Sequence, residues 1–360
     1  LLREVFTIVA HAVFLACEKM EYRASTTLVF QILRLAGIVI ALVTGNGLKT
    51  IFATIIIADI VQALQTMHIL KKHFGRLDFS GPKSEMWYLF KQALPMGIAF
   101  GFTNAFIQLD ILLLKSFHGS EEVGIYSSAY RFVSQFVVII IPLIWIVLPH
   151  LTRTYRDSRE ALKREGEFYL KVIAWLMFSA GLTMSVYSSW LIKIFPSDYM
   201  TASVVLAIVA PTLIFRGLGY LFDLSFIAAE KQKMVALTAG IAFSVKLILE
   251  LILIPKYGFR GAAWGTFSAE IIAFTCSYLL IRKYVVNYSL LRTAVKPLLA
   301  ALLTSALLIF VLKPYPLIGI PLGFIVFTAL VFLFGTFDKA ERESIYSLIR
   351  RKAASIGRSR

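Results

Sequence analysis

Charged side chains lie inside long apolar stretches of this sequence, and they are the residues best placed to do chemistry there. A charge in hydrocarbon is costly, so it normally faces the interior of a helix bundle and marks a transport path or an ion pair. The pattern therefore indicates anion binding, cation binding or ion pairing. The nine charged candidates are Arg34, Asp59, Asp110, Arg131, Arg216, Asp223, Lys246, Glu250 and Glu270.

A polar stripe follows the apolar segment 122–149. Gly124, Ser128, Arg131 and Gln135 recur at helical spacing and share one face of a helix. Such a face suits the wall of a hydrated cavity. The Arg131 guanidinium is a good ligand for a diphosphate, because its donors form a fork that matches phosphate oxygens.

Two interpretations of Arg131 stay open. It either binds an anion from the cavity wall, or it pairs with Asp110 on segment 92–114 and joins two helices, and both can hold in different states. Asn104 and Gln108 form an i, i+4 polar pair on the same segment as Asp110. The predicted cavity residues are Arg131, Asp110, Asn104, Gln108, Ser128, Gln135, Arg216, Asp223 and Tyr220.

The apolar segments also contain prolines. Arg216 and Asp223 lie seven residues apart with Tyr220 between them, shortly after Pro211. Proline interrupts the helical hydrogen-bond ladder and permits a kink. Pro211 therefore predicts either a hinge that bends during transport or a static kink, and Pro142 and Pro149 invite the same two interpretations.

The elements that position these residues are membrane-spanning helices. The chain is 58% hydrophobic and 16% charged, with a mean hydropathy of +0.77, and its apolar runs approach the roughly 20 residues that cross a bilayer. We predict an all-α polytopic membrane protein with about eleven helices. They fall at 5–17 (clipped), 24–44, 50–70, 92–114, 122–149, 168–194, 202–228, 233–254, 261–281, 293–312 and 317–334.

Part of the sequence occurs twice. The segment 14–19 reads again as 226–231, and the register then places Arg34 on Lys246 and Asp59 on Glu270. A repeat of membrane helices is typical of transporters in which two bundles rock about a shared cavity. The repeat predicts structural ion pairs between Arg34 and Asp59 and between Lys246 and Glu270. Lys246 and Glu250 are also spaced for a local i, i+4 salt bridge.

The repeat also predicts the domain organisation. Three helices precede the second copy and none precedes the first, so we expect three further N-terminal helices, about 14 in total, and a form truncated at its beginning. The predicted divisions are 1–79 (the remainder of an N-terminal lobe), 80–91 (an interfacial linker), 92–283 (a C-terminal lobe of six helices), 284–337 (two additional helices) and 338–360 (a basic cytoplasmic tail).

The net charge of +16 is segregated by loop. Alternate loops (18–23, 71–91, 150–167, 230–233, 282–292 and the tail) hold 24 Lys and Arg, and the other set with its edges holds about six. The positive-inside rule makes the first set cytoplasmic. No loop is long enough for a nucleic-acid-binding domain. The two cysteines and five histidines show no metal-ligand spacing, so no metal, cofactor or catalytic residue is expected.

The sequence resembles the polysaccharide biosynthesis protein family, the O-antigen and exopolysaccharide lipid flippases of the multidrug/oligosaccharidyl-lipid/polysaccharide superfamily. The motifs that carry this resemblance are Asp110-Ile-Leu-Leu-Leu, Val123-Gly-Ile-Tyr-Ser-Ser-Ala-Tyr-Arg131, Leu148-Pro149, Pro211-Thr-Leu-Ile-Phe-Arg216, Ala228-Ala-Glu-Lys-Gln-Lys233 and Ile254-Pro-Lys-Tyr-Gly258.

The resemblance implies a MATE-like two-lobe helical bundle in the cell membrane that moves a polyprenyl-pyrophosphate-linked oligosaccharide to the outer leaflet by alternating access. It implies the lipid bilayer, the lipid-linked glycan, a polysaccharide polymerase and glycosyltransferases as partners. Two rivals remain. A Na⁺- or H⁺-coupled drug or metabolite antiporter would use the membrane acids, and a membrane enzyme of glycan assembly would need a substantial extramembrane loop, which is not evident.

Overall fold

The computed structural model of the chain describes residues 7–11, 13, 14, 17, 19–45, 47–74 and 82–343. Every regular element within these residues is helical, as the sequence predicts. The chain divides into two compact units, Leu1–Trp87 and Tyr88–Arg360. The helices are α1 Met20–Val43, α2 Gly47–Phe74, α3 Lys83–Phe117, α4 Ser120–Asp157, α5 Arg159–Val186, α6 Ser188–Ile192, α7 Ala202–Val209, α8 Thr212–Ala228, α9 Gln232–Tyr284, α10 Leu290–Leu307 and α11 Pro316–Leu333.

The first unit is built on the helical hairpin of α1 and α2. Gly37 on α1 lies directly against Thr54 on α2, and a Cβ atom at Gly37 would come 2.5 Å from the Thr54 Cβ. The missing side chain therefore lets the two helices approach closely. A small apolar cluster of Ala10, Phe14 and Leu70 packs beside them.

The second unit is organised around α8, which contacts α4, α5 and α9. The predicted segment 202–228 is one apolar helical stretch, Ala202–Ala228, with a break between α7, which ends at Val209, and α8, which begins at Thr212. Pro211 lies at this break and has no N–H to continue the ladder. Gly181 on α5 faces the Ala210 carbonyl oxygen, which a Cβ atom would approach to 2.9 Å.

A second break divides α9, which is 53 residues long. Gly258 has φ +55° and ψ −135°, values that are not helical. Two helices therefore meet at Gly258, in agreement with the two predicted segments 233–254 and 261–281. The Glu122 carboxylate on α4 accepts a hydrogen bond of 2.8 Å from the Phe259 N–H. This bond satisfies a backbone donor that the start of the second helix would otherwise leave without a partner.

Helix α4, in contrast, runs without interruption through the positions of Pro142 and Pro149 and ends only at Asp157. Its end is followed at once by α5, where the Ser158 hydroxyl accepts from the Ala161 N–H at 3.0 Å as an N-cap. No helix boundary therefore falls at either of these prolines, whereas the boundary between α7 and α8 falls at Pro211.

After α9 the chain turns into α10 and α11. Tyr288 lies in this connection, fully buried, with its hydroxyl 2.8 Å from the Ser225 hydroxyl on α8. Burial raises the pKa of the Tyr288 hydroxyl well above its ordinary value. Gly166 on α5 makes room for the Tyr288 ring, which a Cβ atom at that position would overlap. This contact ties the connection to the core of the second unit.

Eight helical stretches in the described part of the chain are long and apolar enough to cross a membrane. One of them is α9, which contains two of the predicted helices. Residues 83–91 of the predicted linker belong to α3, whereas 80 and 81 lie outside the described residues, as does the tail from 344 onwards. The count of eleven helices, and of fourteen in all, remains a prediction.

Candidate functional site

Three charged side chains form a fully buried cluster in the second unit. The Lys246 Nζ on α9 lies 2.6 Å from Asp110 Oδ2 on α3 and 3.5 Å from Glu250 Oε1 one turn further along α9. The exposed fraction of each side chain is 1% or less. Lys246 also donates to the Phe106 carbonyl oxygen at 2.7 Å and lies over the Phe106 ring at 4.3 Å.

Two hydroxyl groups extend this cluster, and we call the whole set the ion network: Asp110, Lys246, Glu250, Thr266 and Tyr126. Thr266 Oγ1 lies 2.8 Å from Asp110 Oδ1, 3.4 Å from Glu250 Oε1 and 3.1 Å from the Tyr126 hydroxyl. Glu250 Oε2 is buried and has no hydrogen-bond partner in the described part of the chain. The network thus joins α3, α4 and both halves of α9.

The charges of the ion network do not cancel. Two carboxylates face one ammonium, which leaves a formal charge of −1 when all three groups are ionised. A buried charge is stable only when it is paired and hydrogen-bonded. The arrangement can therefore take up one proton, and Glu250 Oε2 is the buried acceptor that lacks a partner in the described part of the chain.

A pocket of about 130 Å³ lies near the ion network. Its polar lining includes Arg216, Tyr220 and Asp223 on α8, together with Glu270 on α9. Arg216 donates through Nε to Glu270 Oε1 at 2.8 Å, makes a second, shorter contact to the same oxygen through Nη2, and donates through Nη1 to the Tyr130 hydroxyl at 2.9 Å. We call Arg216, Tyr220, Asp223 and Glu270 the charged pocket.

Aromatic rings connect the charged pocket to the ion network. The Phe106 ring lines the pocket and lies 5.9 Å from the Arg216 guanidinium, while its carbonyl oxygen accepts from Lys246. Tyr130 bonds to Arg216, and its ring stacks on that of Tyr126 at 5.8 Å. A continuous set of contacts therefore runs from the pocket to the buried cluster.

The predicted cavity residues do not all meet in one place, and Asp110 belongs to the ion network. Arg216, Tyr220 and Asp223 share the charged pocket. Arg131, Asn104, Gln108 and Gln135 are exposed, and none of them lines it. Ser128 is buried and donates to the Ile125 carbonyl oxygen at 2.8 Å. The predicted stripe on α4 thus passes from a buried to an exposed position.

The alternative in which Arg131 pairs with Asp110 is wrong. Asp110 is occupied by Lys246 and Thr266, and in the part of the chain that the structure describes Arg131 forms no ion pair. Asp110 is on the buried face of α3, where only a partner inside the bundle can reach it. The guanidinium of Arg131 therefore keeps its donors available.

The predicted pair of Lys246 with Glu270 is also wrong, because Lys246 binds Asp110 and Glu270 binds Arg216. The i, i+4 contact between Lys246 and Glu250 is present. In the first copy of the repeat, Arg34 is exposed, and the described residues contain no ion pair between Arg34 and Asp59. The repeat could not reveal the partner of Lys246, since Asp110 lies outside the segment that the sequence repeats.

Sequence reasoning missed the uncharged members of these sites, which are Thr266, Tyr126, Tyr130 and Phe106. Threonine and tyrosine are common in membrane helices, so their type alone carries no signal. The repeat offered one clue for Thr266, because the equivalent position in the first copy is Ile55. Among the described residues, no group of three or more His, Cys, Asp or Glu is placed to hold a metal ion.

The family comparison agrees with the resemblance found in the motifs. The family model described as "Polysaccharide biosynthesis protein" matches residues 5–155. None of the curated proteins matches the sequence.

Solved structures share the fold. A structure of the lipid II flippase MurJ in an inward closed conformation is 17% identical, with a TM-score of 0.74, and the match covers 92% of this chain and 71% of that one. An outward-facing multidrug resistance transporter of the MATE family, in the MOP superfamily, is 13% identical, with a TM-score of 0.63, over 78% of this chain and 66% of that one. A MATE structure in a bent conformation is 14% identical, with a TM-score of 0.62, over 84% and 67%. The chain therefore shares the helical fold of these transporter structures, as the sequence predicts.

Proposed function

We propose that this chain acts in a transporter that moves a polyprenyl-pyrophosphate-linked oligosaccharide to the outer leaflet of the cell membrane by alternating access. The observation that carries the proposal is the match of residues 5–155 to the polysaccharide biosynthesis family, on a fold that is similar to that of a lipid II flippase. The physical task agrees with the residues. A flippase must shield a glycan and an anionic diphosphate from hydrocarbon, and for that it needs charged and polar surfaces inside the membrane.

Such a transporter needs no nucleophile, so we expect no catalytic residue and no cofactor in this chain. It places the chain beside enzymes that make and use lipid-linked glycans, namely glycosyltransferases and a polysaccharide polymerase. Its expected location is the inner or plasma membrane.

Within this function we propose that Arg131 binds the diphosphate. Its side chain is exposed and forms no ion pair in the described chain, so its planar donors are free to bind phosphate oxygens in pairs. Arg216 is less available, because Glu270 and Tyr130 already accept from it.

The test is transport of a fluorescent lipid-linked sugar by the full chain in proteoliposomes. Arg131→Lys keeps the charge and loses the fork, so it should reduce transport about tenfold, the equivalent of one lost charge-assisted hydrogen bond. Arg131→Ala should abolish transport with insertion intact. Arg153→Ala is the matched control, since Arg153 is an exposed arginine on the same helix. Normal transport by Arg131→Ala would show that Arg131 does not bind the diphosphate, and Arg216 would then be the candidate.

The second candidate is a MATE-like Na⁺- or H⁺-coupled antiporter of drugs or metabolites. The formal charge of −1 in the ion network and the acidic lining of the charged pocket favour it, since either could bind a coupling ion. Export of a cationic dye, driven by an imposed ion gradient and lost in Asp223→Asn, would support this candidate. Transport of the lipid-linked sugar without dye export would exclude it.

A further inference from the structure

A second and larger pocket, of about 500 Å³, lies at one end of the helices of the second unit. We call it the terminal pocket. It is lined by the first turns of α5, by the first turns of α10 and by the segment that follows α11. These regions belong to the loops that the charge bias assigns to the cytoplasmic face, so the pocket is expected at the level of the lipid headgroups. Its lining residues are Glu160, Lys163, Arg164, Glu167, Lys171, Arg292, Thr293, Lys296, Gly335, Thr336, Asp338 and Glu341.

Most of the carboxylates in the terminal pocket already have partners within the protein. Both oxygens of Glu341 lie 2.8 Å from Lys171 Nζ, and Glu341 and Asp338 accept hydrogen bonds from each other's backbone N–H. Glu167 accepts from the Ser289 N–H at 2.9 Å and lies 4.0 Å from Lys163. These contacts hold the walls of the pocket in place. Lys171 and Lys163 offset the negative charge of Glu341 and Glu167.

The cations are less fully used. Arg164 on α5 and Arg292 on α10 are exposed, and within the described residues neither forms an ion pair. Lys296 donates to the Gly335 carbonyl oxygen at 2.7 Å, a neutral acceptor that leaves its charge uncompensated. Three cations from two helices thus face one cavity, and arginine forks are well suited to phosphate oxygens.

One buried hydroxyl adds an independent sign of a ligand. Thr336 lines the terminal pocket and is only 5% exposed, yet its Oγ1 has no hydrogen-bond partner in the described part of the chain. A buried polar group without a partner costs free energy, and such groups call for an explanation. A rotation of the Thr336 side chain that brings this hydroxyl into the pocket would let it donate to a bound phosphate oxygen.

We propose that the terminal pocket binds a phosphate group, with Arg164, Arg292 and Lys296 as charge partners and Thr336 as a hydroxyl donor. Basic pockets between membrane helices on the cytoplasmic side suit the headgroups of anionic lipids. The same chemistry would hold a free diphosphate. The site lies outside the charged pocket and the ion network, and it does not depend on the transport function proposed above.

The test is thermal unfolding of the purified full chain in detergent, titrated separately with short-chain phosphatidylglycerol, with diacylglycerol of the same chain length and with inorganic pyrophosphate. A ligand that binds the native state raises the Tm, and the rise grows with the logarithm of the ligand concentration once that concentration exceeds the Kd. Phosphatidylglycerol should raise the Tm and diacylglycerol should not. A shift with the lipid alone identifies a headgroup site, whereas a shift with pyrophosphate as well identifies a site for the phosphate group itself.

Two sets of variants test the residues. Arg164→Gln with Arg292→Gln should weaken the apparent affinity for phosphatidylglycerol at least about tenfold. The matched control, Arg153→Gln with Arg156→Gln, removes two exposed arginines at the end of α4 that do not line the pocket, and it should bind as the wild type does. Thr336→Val should weaken binding while leaving the Tm without lipid unchanged or higher. Equal shifts with diacylglycerol, equal losses in the control pair, or unchanged affinity in the pocket variants would overturn the proposal.

Discussion

Lys246 is the cation on which the ion network depends, since it bonds to Asp110 and Glu250 with no exposed surface. We predict that Lys246→Met destabilises the protein by about 3–5 kcal/mol, the usual cost of removing one partner from a buried ion pair. The measurement is equilibrium unfolding in mixed micelles. Lys256→Met is the matched control on the same helix, because Lys256 is exposed, and it should change stability by no more than about 0.5 kcal/mol.

We expect Asp110 and Glu250, the two acids of the ion network, to contribute unequally to the stability of the protein. Asp110 accepts the shorter contacts, 2.6 Å from Lys246 and 2.8 Å from Thr266, whereas Glu250 lies 3.4 Å from Thr266 and 3.5 Å from Lys246. We predict that Asp110→Asn costs about 3 kcal/mol and that Glu250→Gln costs about 1 kcal/mol or less. The same unfolding assay ranks the two variants. A larger loss in Glu250→Gln would show that Glu250, and not Asp110, holds the lysine.

At this scale the sequence predicted which residues matter better than it predicted their partners. Buried Lys246 and Glu270 were recognised because charge in an apolar stretch is rare. Their partners were misassigned because Asp110 lies 136 positions before Lys246 and Arg216 lies 54 before Glu270. Contacts over such distances are set by the packing of whole helices, which spacing along one helix cannot reveal.

Among the elements, the break in α9 depends on the backbone conformation of one residue, Gly258. Gly258 occupies a backbone conformation that side chains disfavour, and a Cβ atom there would overlap the Glu122 carboxylate. We predict that Gly258→Ala destabilises the protein by about 1–3 kcal/mol. Gly97→Ala is the control: Gly97 is helical with no atom near its missing Cβ, so alanine there should be neutral or stabilising by up to about 1 kcal/mol. Equal stability of the two variants would mean that the break tolerates a side chain.

The same elements indicate what a sequence can predict about helices. Apolar length predicted the positions of most segments, and the turn near Gly258 could be recognised from Ile254-Pro255-Lys-Tyr-Gly258. The prolines were ambiguous, since the helix breaks at Pro211 but continues through Pro142 and Pro149. A proline can be accommodated inside a helix when its surroundings satisfy the freed carbonyl groups, and these surroundings depend on tertiary structure.

For the whole molecule, the charge bias predicts the orientation in the membrane. Helix α4 suits a test of this orientation, because its 38 residues extend about 57 Å at a rise of about 1.5 Å per residue. We predict that a cysteine replacing Ser120 reacts with an impermeant reagent on intact cells and that one replacing Asp157 does not. Both sites are exposed, and Cys17 and Cys276 are removed first. The reverse labelling pattern would invert the orientation of the protein.

The two copies of the repeat are unequal. Glu250 and Thr266 in the second copy correspond to Ile38 and Ile55 in the first, so the ion network has no equivalent there. The sequence predicted the duplication but also a symmetry of ion pairs that the structure lacks. Residues that do chemistry diverge between copies while the apolar spacing that builds the helices persists.

The long sequence separation inside the ion network has a consequence for the order of synthesis. Asp110 is made 136 residues before Lys246, an interval of about 7–27 s at a translation rate of roughly 5–20 residues per second. During that interval Asp110 on α3 lacks the ammonium group of Lys246, so its carboxylate must be kept hydrated or sheltered by the insertion machinery. Biogenesis of the second unit is therefore expected to wait for α9, and a ribosome stalled before residue 246 should leave α3 open to extraction from the membrane.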